Sequence, residues 1–269
     1  MPGMLAGAMS LDQAANIVKH QTATRDAFLG GRLHLAQPAA GFRAGLDSVL
    51  LGAAVAAETG ELLDLGAGVG TAALVALSHR PALAATLAET NTEALALARQ
   101  NIAANGFSGR ASAVELDVTA PGAIRLAAGI GADRYAAVIA NPPFFDAGGG
   151  TRARGEGRAA ARHQDKSALD LWVRTAAAAA APGGEAIFIL PAESLPGLLA
   201  AFEGRFGALT LLPFSPRAGE AASRVLLRGV KGSRAPLRLL AGRALHMGED
   251  KAFAPEIEAI LRGRATLDW

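Results

Sequence analysis

The chain of 269 residues contains no cysteine. Disulfides, thiolate metal sites and dithiol redox pairs are therefore excluded, and the cytoplasm is the expected location. No apolar run reaches the roughly 18 residues that suggest a membrane-spanning helix; the longest, 65–77 and 48–57, fall well short. The start of the chain lacks the pattern of a secretory leader, because no basic residue precedes 5–9 and Asp12 follows closely. Charge is sparse, at 19% of residues against 51% apolar, and mean hydropathy is +0.27, proportions that a disordered chain does not show. The histidines (His20, His34, His79, His163, His246) are scattered without ligand spacing, so no metal site is expected. There is no Gly-x-Ser-x-Gly to anchor a serine hydrolase, and no Gly-Lys-Ser/Thr to make a P-loop. Nor does the chain repeat itself, which removes solenoids. What remains is a soluble globular chain of enzyme size, 27.2 kDa.

Acids and bases are unevenly spread. Net formal charge is only +2, with a pI near 9.4. From 61 to 120, Glu61, Asp64, Glu89, Glu93, Glu115 and Asp117 outnumber Arg80, Arg99 and Arg110, a local net of −3. From 205 to 243, eight bases face Glu220 alone, a local net of +7. Such asymmetry fits a small ligand at one end and a polyanion at the other. Codon usage that inflates Ala, Gly and Arg together produces the same pattern, so charge alone does not choose.

Residues 1–23 have no clean period and read as an N-terminal extension, with partial disorder left open; 24–269 read as one domain. Residues 26–37 predict a hairpin around Gly30-Gly31, and 47–58 a helix with apolar spacing at Leu46, Leu50 and Val55. From Glu61 the rhythm becomes strand, helix, strand. Strands are expected at 62–65, 83–88, about 113–116 and 135–140, with helices at 71–78 and 92–104. A Gly- and Arg-rich loop, 148–158, then precedes a helix from about 168 to 181, stopped by Pro182-Gly183-Gly184. Strands at 186–190, 209–213 and 224–230 complete seven. The alternation predicts an α/β, Rossmann-like, mostly parallel sheet with helices on both faces. The closing pair of strands, joined without a full helix, predicts an antiparallel edge strand.

Asp64-Leu65-Gly66-Ala67-Gly68-Val69-Gly70 sits where the first strand of that sheet turns into a helix. Glycines there let the backbone approach a ligand and present amides at a helix N-terminus. The spacing is one residue tighter than the dinucleotide fingerprint. Glu89, at the end of the next strand, is placed to accept the two hydroxyls of a ribose, and Asp117, ending the third, an adenine amino group. Polar groups at the carboxyl ends of successive strands converge on one crevice in open α/β sheets.

Asn141-Pro142-Pro143-Phe144 ends the fourth strand beside the same crevice. Asn-Pro is an ordinary turn starter, which explains the stop but not the composition. A planar NH2 group whose lone pair is delocalised is a poor nucleophile. The Asn141 side-chain oxygen and the Pro142 carbonyl can accept its two hydrogens and turn its lone pair toward an electrophilic methyl; proline brings no competing N–H. Phe144 offers a face for stacking a base. Positioning and hydrogen bonding do this work without a strong base or a metal.

The glycine turn, Glu89, Asp117 and Asn-Pro-Pro-Phe together resemble the class I S-adenosylmethionine-dependent methyltransferases that act on amino nitrogens. Within them the chain is similar to the bacterial adenine-N6-methyltransferases of valine tRNA. The likeness takes in Asp26-Ala27-Phe28-Leu29-Gly30-Gly31, Gln37-Pro38 and Gly41-Phe42-Arg43-Ala44-Gly45-Leu46-Asp47. It continues in Ser215-Pro216-Arg217, Arg224-Val225-Leu226 and His246, and spans about 24 to 263. The resemblance implies a seven-stranded methyltransferase sheet and S-adenosylmethionine as cofactor, held by Asp64, Gly66, Ala67, Gly68, Gly70, Glu89, Thr90, Asp117, Val118 and Asn141. It implies catalysis by Asn141, Pro142 and Phe144, and a tRNA or other RNA substrate with Arg43, Arg154, Arg158, Arg217 and Arg224 as candidate contacts. Related enzymes methylate guanine N2 in ribosomal RNA or a glutamine amide in release factors through near-identical tetrapeptides. The guanine enzymes usually have a duplicated, longer chain and the glutamine enzymes a helical domain before the core, so adenine in tRNA is the expected target. A nicotinamide oxidoreductase sharing the glycine turn, and a non-catalytic adaptor of the same fold, remain as other classes. Two basic stretches could hold RNA: Arg152, Arg154, Arg158, Arg162 and Lys166 in the loop after Phe144, and the run around the closing strands.

Overall fold

The computed structural model describes residues 23–39, 43–143, 156–248 and 252–269, with side chains undescribed over 156–166. The chain opens with the antiparallel hairpin of β1 (Ala23–Phe28) and β2 (Leu33–Pro38), closed by the turn Leu29–Gly31. Helix α1 (Leu46–Ala53) leads into β3 (Thr59–Leu65), α2 (Thr71–His79), β4 (Ala82–Glu89), α3 (Thr92–Ala104) and β5 (Ala111–Glu115). A short α4 (Gly122–Ala127) precedes β6 (Tyr135–Ala140), α5 (Glu156–Ala179) and β7 (Ala180–Pro191). Then come α6 (Leu195–Phe202), β8 (Phe206–Ser215), β9 (Arg224–Lys231), the two-residue strands β10 (Arg238–Leu239) and β11 (Arg243–Ala244), and α7 (Pro255–Leu261).

The sheet runs β5-β4-β3-β6-β7-β9-β8, with β10 and β11 on the outer side of β8. Strands β3 to β7 are mutually parallel, which makes the expected Rossmann-like sheet. The antiparallel strand lies one place in from the expected edge: β9 is inserted between β7 and β8 and pairs antiparallel with both. Strand β8 therefore points the same way as β7, and the edge is finished by the parallel snippets β10 and β11.

Two-residue alternation divides the core between the faces. Leu62, Ala137, Ile139, Ile187 and Leu226 pack with α1, α2, α7 and the hairpin's Leu29, Leu33 and Leu35. Leu63, Leu65, Val138, Ala140, Phe188 and Leu227 pack under α5 and α6, whose Trp172, Val173, Ala176, Leu198 and Phe202 cover them.

Strands β3, β5, β7 and β8 begin two to six residues earlier than expected, and three helix boundaries differ by two residues or more. Helix α1 stops at Ala53 instead of running to Glu58, because the Ala56 and Ala57 amides donate to the buried Glu185 carboxylate of β7 (2.8 and 3.0 Å). Helix α5 starts at Glu156, so the backbone of Arg158, Arg162 and Lys166 is helical rather than loop; the helix formers Ala159-Ala160-Ala161 carry the pattern upstream. It ends at Ala179, before the Pro-Gly-Gly, where Lys231 Nζ donates to the Ala177 and Ala180 carbonyls (2.6 and 2.8 Å). A cation at a helix C-terminus is favourable.

Candidate active site

Strand register sets the site. Leu65 is opposite Ala88 of β4 and Ala140 of β6, so the next residues, Gly66, Glu89 and Asn141, lie side by side at the carboxyl edge of three parallel strands. Glu89 in turn pairs with Glu115, which puts Asp117 just past the end of β5 at the same edge. The sequence-predicted cluster is thus brought together in one crevice, as open α/β sheets require.

The glycine turn is held by hydrogen bonds to its neighbours. The Ala67 amide donates to Ala88 O (3.0 Å), the Gly70 amide to Ala67 O (2.8 Å) and the Gly68 amide to Glu89 Oε2 (2.7 Å). Gly66, Gly68 and Gly70 all have positive φ (+64°, +56° and +89°), a region costly for other residues. Their surroundings differ. A Cβ on Gly66 would stand 2.4 Å from the Trp172 ring, and one on Gly70 2.6 Å from Leu87, whereas one on Gly68 would meet nothing within 4 Å. Gly68 therefore lines the open side of the turn.

Three carboxylates surround it. Glu89, 8% exposed, accepts from Gly68 on one oxygen and from the Asn91 amide on the other (2.7 Å each), leaving a lone pair on both. Thr90 sits exposed between them. Asp117 is exposed; its Oδ1 accepts from the Thr119 amide and hydroxyl (2.8 and 2.7 Å), and its Oδ2 has no partner among the described residues. Val118 beside it is buried, and its carbonyl accepts from Thr175 (2.7 Å). Asp64 lies beneath the turn, 2% exposed, accepting from the Ala73 amide (3.2 Å). Burial pushes its carboxyl up to about 7; the Ala73 amide pulls the other way, and the Glu89 charge adds to the rise.

Asn141 carries an unsatisfied group at the carboxyl edge of the sheet. Its Oδ1 is buried and has no hydrogen-bond partner among the described residues. Such an acceptor costs about 1–3 kcal/mol until a donor reaches it. Pro142 is buried beside it, and Phe144 and Arg154 lie outside the described residues.

Three of the five candidate substrate arginines are engaged within the fold. Arg43 bonds the Thr24 hydroxyl and Pro38 O (2.8 Å each) and pairs with Asp26. Arg224 pairs with Asp47 (2.9 Å), and Arg217 donates to Gly248 O (2.8 Å) and faces Glu220 at 3.6 Å. Arg158 is helical, with an undescribed side chain.

Sequence reasoning missed Trp172, which α5 lays against Gly66, and Asn101, whose side chain reaches the Val69 carbonyl (3.0 Å). Asn101 did leave a trace: it falls on the face of α3 that buries Leu95, Ala98 and Ile102. Among the described residues no cluster of His, Asp or Glu could hold a metal, and no helix is long and apolar enough to cross a membrane.

The cradle fits S-adenosylmethionine: an open glycine at the turn, a buried carboxylate with a free lone pair on each oxygen, and a half-free acid one strand on. Known proteins agree on the scaffold. A tRNA1(Val) (adenine(37)-N6)-methyltransferase of Shewanella halifaxensis is 31% identical over 163 residues, 60% of this chain and 63% of that protein, less than two thirds of its length. The Aeromonas hydrophila protein of the same name is 30% identical over 206 residues, 75% of this chain and 82% of that protein. The crystal structure of a predicted O-methyltransferase from Agrobacterium tumefaciens matches with a TM-score of 0.70 at 31% identity, covering 82% of this chain and 98% of that one. The family described as Methyltransferase small domain matches residues 45–190, from the start of α1 through the glycine turn and Asn141 to the end of β7. With the class I sheet and its crevice in place, the chain belongs to the Methyltransferase small domain family.

Proposed function

We propose that the protein transfers a methyl group from S-adenosylmethionine to the N6 amino group of an adenine in tRNA. The observation that carries this reading is the Asn141 Oδ1 one position past β6, beside the glycine turn, which is buried and has no hydrogen-bond partner among the described residues. An amino substrate supplies the donor that this oxygen lacks. A hydroxyl has one hydrogen to give, whereas Asn141 Oδ1 and the Pro142 carbonyl together match the two of an NH2 group. The names of the Shewanella and Aeromonas relatives support adenine in tRNA as its owner.

In this reading Gly66, Ala67, Gly68 and Gly70 take the methionine end of the cofactor, Glu89 the ribose hydroxyls, with Thr90 flanking, and Asp117 with Val118 the adenine. Asp64 steadies the turn from below through Ala73. The cofactor supplies an electrophilic methyl. Asn141 and Pro142 orient the acceptor nitrogen and draw on its hydrogens, which frees the lone pair from the ring; the displaced proton passes to water. Phe144 stacks the target base.

The test offers the purified protein methyl-labelled cofactor together with unmodified tRNA, ribosomal RNA, a release factor or free adenosine, with mass spectrometry of the products. N6-methyladenosine in tRNA is expected. N2-methylguanosine in ribosomal RNA or a methylated glutamine would transfer the site to the corresponding alternative. Preference for NADH over S-adenosylmethionine would overturn the class. Asn141→Ala should keep cofactor binding and lower turnover by about 10²–10³-fold, the effect of one transition-state hydrogen bond; full activity in that variant would remove Asn141 from the chemistry.

A further inference from the structure

One anchor of the glycine turn, at Val69, comes from another helix. Val69 precedes Gly70, the N-cap of α2, so its carbonyl has no partner within the helix, and neither has the Ala73 amide of the first turn. That amide donates to Asp64. The Val69 carbonyl, on a residue only 6% exposed, takes its hydrogen bond from Asn101 Nδ2 on α3 (3.0 Å).

The same carboxamide grips the hairpin. Asn101 Oδ1 accepts from the Ala36 amide (2.7 Å), and its Nδ2 also donates to Ala36 O (3.0 Å). Asn105 repeats the grip two residues back along β2, accepting from the His34 amide (2.9 Å) and donating to His34 O (3.0 Å). Four residues of helix advance about 6 Å, and two of strand about 6.7 Å. Asn101 on α3 and Asn105, the C-cap one turn on, thus serve the free edge of β2 as a neighbouring strand would. Asn101, 1% exposed, extends to the glycine turn; Asn105, half-buried, donates instead to the Asn101 carbonyl (2.8 Å), and none of its bonds reaches the turn.

We infer that Asn101 is a positioning residue of the cofactor site, coupling the N-terminal hairpin to the conformation of Gly68–Gly70 through the Val69 carbonyl. The inference rests on the cofactor reading above. Asn105 is its internal control, since it holds the same strand without touching the turn. Loss of Asn101 leaves Val69 O without a donor and lets the turn relax away from Glu89, whose Oε2 holds the Gly68 amide. Cofactor affinity then falls while the acceptor side of the crevice, at Asn141, is unchanged.

Calorimetry with S-adenosylmethionine on the parent, Asn101→Leu and Asn105→Leu proteins, with melting temperatures alongside, tests this. Asn101→Leu should weaken binding about tenfold, the effect of one lost hydrogen bond. Its KM for the cofactor should rise by the same factor, with kcat within about twofold. Asn105→Leu should lower the melting temperature and leave affinity within about twofold. Equal weakening by both, or by neither, overturns the inference. Should Asn101→Leu fail to fold, hydrogen exchange on the parent decides. Coupling is reciprocal, so saturating cofactor should slow the Ala36 amide more than the His34 amide; equal slowing overturns it. A parent protein that does not bind S-adenosylmethionine removes the cofactor reading itself, and the inference with it.

Discussion

Gly66 and Gly68 share a backbone conformation but not an environment, and this separates stability from binding at two neighbouring positions. An alanine at 66 meets both a left-handed φ and the Trp172 ring, so Gly66→Ala should cost about 2–5 kcal/mol of stability, the sum of αL strain and overpacking. Gly68→Ala pays only the backbone term, about 1–2 kcal/mol, but plants a methyl on the open side of the turn. It should lose cofactor affinity out of proportion to stability. Thermal unfolding and calorimetry on both variants check the contrast, which a shared loss of affinity without loss of stability would contradict. Asp64 gives a pH prediction. Its carboxyl sits near 7 in the folded chain, above the ordinary 3.8. Below about pH 4 both states are protonated; as pH rises toward 7 the unfolded carboxyl ionises first, and stability is lost across that window, levelling above it. The roughly three-unit rise corresponds to about 4 kcal/mol. Asp64→Asn should therefore gain on the parent in denaturant unfolding without cofactor, increasingly from pH 4 to 7. A difference that stays flat with pH would place the Asp64 proton elsewhere.

Elements with local punctuation were legible in the sequence, and those ended by distant side chains were not. Helix α3 matches expectation at both ends because its signals are its own: Asn91 caps it through the Ala94 amide (2.9 Å), and Gly106, at φ +76°, follows Asn105. Strand β6 matches because an unbroken apolar run meets Asn-Pro. Helices α1 and α5 stop where Glu185 and Lys231 reach them from β7 and β9, partners far away in sequence. The place of β9 between β7 and β8 is a matter of sheet order, which strand patterning does not encode. The site divides in the same way. Residues at strand ends, Asp64, Glu89, Asp117 and Asn141, could be placed from the strand–turn rhythm and the resemblance, since parallel strands put their carboxyl ends on one edge. Asn101 and Trp172 act from mid-helix across tertiary contacts, where only a buried polar position in an apolar stripe marks one of them.

At the scale of the molecule the charge asymmetry of the sequence changes meaning. Six of the eight bases between 205 and 243 find carboxylates on other parts of the chain or nearby: Arg205 on Asp170, Arg217 on Glu220, Arg224 on Asp47, Arg228 on Glu185, Lys231 on Asp133 and Arg243 on Glu256. The local excess of +7 is thus largely spent on holding the closing strands. Among the described residues, Arg234 and Arg238 are the members of that run without a carboxylate partner. Both belong to the outer edge of the sheet, where β10 is four strands from β6, about 19 Å at ordinary strand spacing. An RNA whose target base reaches Asn141 is better met by the arginines that follow Asn-Pro-Pro-Phe directly in the chain. Each phosphate contact contributes close to 0.9 to the slope of log affinity against log salt on a duplex and about 0.7 on a single strand. Arg154→Glu with Arg158→Glu should therefore shallow that slope for tRNA by about 1.4–1.8 and leave S-adenosylmethionine affinity unchanged. Arg234→Glu with Arg238→Glu should leave the slope as it is. The reverse result, a slope that responds at 234 and 238 and not at 154 and 158, would move the RNA to the outer edge and detach it from the Asn141 crevice.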